Sequence, residues 1–73
     1  MTRLLIVNPN TSAGVTARID AAAQAVAGPG DRFVTISALS GPPLIVTEAD
    51  TQAAIAGVLG AVAQHQDTVD GIV

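Results

Sequence analysis

The chain has 73 residues, no cysteine, one histidine, one aromatic side chain and a net charge of −3. That length allows one small domain, and at this size folding hides only about 60% of the surface the unfolded chain exposes. The composition excludes a disulfide scaffold and a thiolate or histidine-rich metal cluster. The three arginines, Arg3, Arg18 and Arg32, are scattered, and without stacking aromatics they form no nucleic-acid or anionic-membrane surface. A 49% hydrophobic and 12% charged composition is the opposite of a disordered chain. Its Ala/Val/Ile/Leu character suits helices packed on a buried parallel sheet. No apolar run reaches membrane-spanning length, and Leu4–Val7 is too short for a signal-peptide core, so the expected location is the cytoplasm.

In chain order, Leu4-Leu5-Ile6-Val7 reads as a buried central strand, closed by Asn8-Pro9-Asn10 because proline cannot donate to a sheet ladder. Val15, Ile19, Ala22, Ala23 and Val26 then fall on one face of a helix, with Thr11 or Ser12 as its N-cap. Gly28-Pro29-Gly30-Asp31 ends that helix. Phe33-Val34-Thr35-Ile36 is rich in β-formers and predicts a second strand. Ser40-Gly41-Pro42-Pro43 is a loop, and Thr47-Glu48-Ala49-Asp50 resembles a capping box. Ile55, Val58, Leu59 and Val62 repeat at helical spacing, so a second helix runs to about Gln64, with Gly57 and Gly60 inside it. Val69-Asp70-Gly71-Ile72-Val73 opens a third apolar run. The order is β-α-β-α-β, an α/β class with a parallel sheet and right-handed crossovers. Because strands commonly run about 5–6 residues, the third is expected to be incomplete, and residues 1–73 to be a partial N-terminal lobe of a longer protein.

The turn Asn8-Pro9-Asn10-Thr11-Ser12 lies where open α/β sheets bind ligands, at the carboxyl end of a strand and the start of a helix. The helix N-terminus favours a carboxylate or enolate oxygen, and an asparagine amide both donates and accepts. Asn8 and Asn10 are therefore the first substrate-binding candidates, followed by Thr11 and Ser12. Ile45, in a loop at the same edge, is either a pocket wall or a core residue. The same turn residues also serve as plain turn and cap chemistry. No dinucleotide or P-loop glycine pattern occurs in the chain. His65, at the end of the second helix, reads as a dipole and carbonyl partner. Asp67 and Asp70 read as turn residues, and Glu48 and Asp50 as first-turn charges.

The opening Leu4-Leu5-Ile6-Val7-Asn8-Pro9-Asn10-Thr11-Ser12, with Thr16 and Ile19, resembles the start of hydantoin and allantoin racemases of the Asp/Glu/hydantoin racemase family. Gly41-Pro42, Ile45, Thr47, Asp50, Ala54 and Asp70-Gly71-Ile72-Val73 match the same pattern in order, so the likeness spans nearly the whole chain. Val46 departs from it, standing where an acidic residue is expected. The resemblance implies a two-lobed α/β racemase without a cofactor or metal. Two opposed cysteines would transfer the proton at a carbon acid such as a hydantoin or allantoin. It also implies a small-molecule substrate and a homo-oligomeric full-length parent, with no nucleic-acid or membrane partner. Neither cysteine is in this chain, so no catalytic residue is assigned and the 73 residues alone are expected to be inactive. The alternatives are a relative resembling arylmalonate decarboxylases or maleate isomerases, or a non-catalytic small-molecule-binding module.

Overall fold

A computed structural model describes residues 2–73. Strand β1 spans Thr2–Asn8, helix α1 Ala13–Val26, strand β2 Asp31–Ser37, helix α2 Glu48–His65, a short 3-10 turn Gln66–Thr68, and strand β3 Gly71–Ile72. The sheet has the order β2-β1-β3, and both pairings are parallel, from Thr2↔Asp31 to Asn8↔Ser37 on one side and at Leu4↔Gly71 and Leu5↔Ile72 on the other. The α/β class and the parallel β-α-β-α-β order expected from the sequence are thus what the chain adopts. Because β2 and β3 lie on opposite sides of β1, right-handed crossovers put α1 and α2 on opposite faces of the sheet. The strand order switches at β1, so the crevice at its carboxyl end is where such sheets take ligands.

The N-caps follow local sequence chemistry. Ser12 caps α1 by accepting the Val15 N–H at 3.3 Å. Thr47 caps α2, accepting the Asp50 N–H at 3.1 Å, while the Asp50 carboxylate accepts the Thr47 and Val46 N–H groups at 3.0 and 3.1 Å. Asp50 thus completes the reciprocal capping box that a glutamate or glutamine usually closes. Those backbone donors, Thr47 first and then Val46, hold the Asp50 carboxyl below its ordinary pKa. A depressed folded pKa means that the carboxylate's stabilising contribution is present above the unfolded pKa and is lost as the pH falls through the folded one. Thermal melts of the chain and of Asp50→Asn across the acid range are expected to differ most near neutrality and to converge in strong acid. At the other end of α2, the His65 Nδ1 lies 3.0 Å from the Ala61 carbonyl, in the last-turn role expected for it.

Both helix faces follow the apolar periodicity in part: Val15, Ile19, Ala23, Val58 and Val62 are half-buried as it predicts, and the rest differ. On α1, Ala22 and Val26 are exposed, Val26 by 78%, and no α1 residue is fully buried; the half-buried side is Val15, Thr16, Ile19 and Ala23. The rotation brings the polar Thr16 inward, where β1 and β2 supply it with partners. On α2 the buried residues are Ala54, Gly57 and Ala61, while Ile55 and Leu59 are 48% and 63% exposed. The small side chains are what let α2 come close. A Cβ on Gly57 would run into the Ser40 carbonyl, and the Gly57 carbonyl accepts the Leu39 N–H at 3.1 Å. Among the described residues, the largest fully buried side chains are Leu5 and Asn8. No helix among the described residues is long and apolar enough to cross a membrane.

Candidate functional site

Asn8 ends β1 on the face shared with Leu4 and Ile6, since strand side chains alternate, and that face lies under α1. Its side chain is 1% exposed, and its amide is held from three directions. Asn8 Nδ2 donates to Asn10 Oδ1 at 2.9 Å and to Thr16 Oγ1 at 3.0 Å, while Asn8 Oδ1 accepts the Asn10 N–H at 3.2 Å. Asn10 Oδ1 accepts a second bond from the Ser12 N–H at 2.9 Å. The turn is therefore braced by two side-chain amides, each used by the next.

Thr11 ties this turn to the loop ahead of α2. Its N–H donates to the Pro42 carbonyl and its hydroxyl to the Gly41 carbonyl, both at 3.1 Å. Gly41 has φ of +113°, a left-handed conformation that favours glycine and aims this carbonyl at Thr11. On the α2 side of the same edge, Pro9, Ile45 and the α2 side chains Ile55, Val58 and Leu59 border an apolar cavity of about 280 Å³.

The structure thus gathers Asn8, Asn10, Thr11 and Ser12 in one turn and puts Ile45 beside it, with Pro9 as the shared residue. It separates their roles. The Asn8 amide and the Thr11 donors are spent within the chain. The Asn10 Nδ2 group and the Ser12 hydroxyl proton have no acceptor among the described residues, so they are the side-chain donors left over. Sequence reasoning gave no site role to Thr16 and missed Ser37, which complete the bracing; their Oγ1 and Oγ atoms lie 2.6 Å apart. The available signal was register. Ser37 pairs with Asn8, and Thr16 is a polar residue next to the apolar Val15 at the helix start.

Chemically, the turn offers hydrogen-bond donors and the positive end of α1, which suit a carbonyl or enolate oxygen. It contains no titratable side chain, so it can hold a developing negative charge but cannot take a proton. Among the described residues no group of three or more His, Cys, Asp or Glu is placed to hold a metal ion.

A parallel sheet whose strand order switches beside a donor-bearing turn defines an open α/β protein, and in that class the crevice at such a switch point is where ligands bind. Comparison with known proteins places the chain more closely. Residues 4–73 match the Asp/Glu/hydantoin racemase family, and the chain belongs to that family. Its structure superposes on the allantoin racemase from Klebsiella pneumoniae with a TM-score of 0.88 at 38% sequence identity. That likeness, with the family match, falls on the hydantoin and allantoin branch. The match covers 99% of this chain and 30% of that one, so the chain spans under a third of the length of the racemase it resembles. A search of curated proteins finds no match.

Proposed function

We propose that the chain is the scaffold and one wall of the substrate cradle of a cofactor-independent racemase acting on hydantoin-type carbon acids, allantoin among them. The observation that carries this reading is the braced Asn8–Ser12 turn. It spends its inner amide on itself and leaves the Asn10 amide and the Ser12 hydroxyl as donors beside a helix N-terminus. Such donors stabilise an enolate oxygen, the charge that appears when the acidic carbon loses its proton. Asn10, Thr11 and Ser12 form the polar side of the cradle, Thr11 by tying its turn to the neighbouring loop. Asn8 supports them from below, and Ile45 with Pro9 forms an apolar wall.

Proton transfer needs groups this chain lacks. In the two-thiol scheme, one thiolate takes the proton from carbon, and the electron pair moves onto the carbonyl oxygen as an enolate. The second thiol then returns a proton to the opposite face of that carbon and is left as the thiolate. The sequence contains no cysteine, so both thiols belong to the remainder of the enzyme. The exposed apolar residues Leu39, Leu44, Ile55 and Leu59 support burial of this unit against that remainder and further copies of it.

A graft tests the reading. In it, this chain replaces the matching 30% of the Klebsiella racemase. The graft is expected to racemise enantiopure allantoin or a 5-substituted hydantoin and to lose that activity on thiol alkylation. Full activity after complete alkylation would contradict the thiol mechanism, and a folded graft that racemises neither compound would contradict the assignment.

A further inference from the structure

We propose that Thr16, backed by Ser37, is a positioning residue that sets the direction of the Asn8–Asn10 amide relay and thereby turns the Asn10 Nδ2 group outward as donor to the substrate. The proposal rests on the reading of the Asn8–Ser12 turn as a substrate cradle, and it concerns two residues outside that turn.

Protons and lone pairs decide the direction of each bond. The Thr16 hydroxyl has one proton and two lone pairs. It lies 3.1 Å from the Ser12 carbonyl, which can only accept, so the Thr16 proton goes there. Its lone pairs then face Asn8 Nδ2 at 3.0 Å and Ser37 Oγ at 2.6 Å, so Ser37 is the donor of that short bond. With its proton committed, Thr16 presents only an acceptor to Asn8. The Asn8 amide must therefore turn its nitrogen toward α1 and its oxygen toward the Asn10 N–H. The second Asn8 N–H then meets Asn10 across 2.9 Å, where only an oxygen fits. The Ser12 N–H requires the same oxygen. Asn10 is thus left one orientation, with Oδ1 inward and its amide donors free. Four elements set one amide: β2 through Ser37, α1 through Thr16, β1 through Asn8, and the turn itself. A hydroxyl that ties β2 to α1 and fixes an amide orientation in the neighbouring strand β1 does more than fill space. Valine would fill the same volume without the acceptor.

Thr16→Val, Thr16→Ser and Ser37→Ala in the graft separate positioning from packing. Misaligning one donor to a developing oxyanion is expected to lower kcat about tenfold in Thr16→Val while KM stays within about threefold, because that charge exists chiefly in the transition state. Thr16→Ser keeps the hydroxyl and is expected to restore kcat, and Ser37→Ala to fall between the two. The second readout needs no activity. In ¹⁵N-labelled protein, the Asn8 side-chain amide protons should exchange with solvent far more slowly than those of Asn10, a difference that Thr16→Val should erase and Thr16→Ser preserve. Equal exchange at Asn8 and Asn10 in the unmutated protein, or a Thr16→Ser variant as impaired as Thr16→Val, would overturn the proposal. A graft without racemase activity would count against the cradle reading alone, and the exchange data would still decide the role of Thr16.

Discussion

Gly57→Val is expected to unfold the chain or leave it melting far below the parent. Two effects compete at this position. Glycine inside a helix costs about 1 kcal/mol relative to alanine, so any side chain should help α2 on its own. Against that, a Cβ on Gly57 would strike the Ser40 carbonyl and press on the Ala38 Cβ at 3.1 Å. Ser40 is backbone and cannot rotate away, so the helix itself must lift. Overpacking costs about 1–3 kcal/mol and occasionally more, and lifting α2 would also uncover Ala54 and Ala61 and break the Leu39 bond to the Gly57 carbonyl. A domain of this size holds only about 4–11 kcal/mol in all. Gly60, one turn along, is the control. There a Cβ would meet the Leu39 side chain, tightly only at its Cδ1 end, at 3.3 Å, which can move. Gly60→Ala should therefore raise the melting temperature while Gly57→Ala lowers it. Melts in which both alanines stabilise would show that α2 does not rest on Ser40.

Asn8→Asp is the second large effect, and it removes almost no volume. It places a carboxylate oxygen where Nδ2 now donates to Asn10 and Thr16, facing two acceptors in a site 1% exposed. An uncompensated buried charge costs about 3–5 kcal/mol, enough to unfold a marginal domain at neutral pH. The sign of the pH dependence identifies the cause. Burial and facing acceptors raise the introduced carboxyl's folded pKa above its unfolded value, so the variant binds more protons folded than unfolded and loses stability as the pH rises. Its melting temperature is expected to recover as the pH drops toward the carboxylate range, where the protonated acid can again donate to Asn10. A variant as stable as the parent at pH 7 would mean that the Asn8 amide is not the brace described above.

Much of this was legible in the sequence because it is local. Ser12 and the Thr47–Asp50 box mark helix starts through side chains a turn away from the groups they satisfy, and a short apolar run closed by Asn8-Pro9 marks a central strand. The β-α-β-α-β order then leaves few topologies. The helix faces were legible only in part: Val15, Ile19 and Ala23 on α1 and Val58 and Val62 on α2 are half-buried as their spacing predicts, while Val26, Ile55 and Leu59 are exposed. Counting large apolar residues favoured Ile55 and Leu59, but α2 packs through Ala54, Gly57 and Ala61, since the sheet contact rewards closeness over bulk. The division of labour in the turn was also hidden. Asn8 and Asn10 look equivalent in sequence, yet strand alternation sends Asn8 inward beside Ile6 and Leu4. Its partners Thr16 and Ser37 are brought to it by the crossover, from 8 and 29 positions away.

On the proposed reading, a donor-bearing cradle lies in this chain and the proton-transferring groups lie outside it. The decay of optical rotation of enantiopure allantoin tests this division directly in three samples: the 73-residue chain, the Klebsiella racemase lacking the matching 30%, and the graft of the two. No decay above buffer is expected from either part, and clear decay is expected from the graft. Racemisation by the 73-residue chain alone, which has no thiol to move a proton, would contradict that reading.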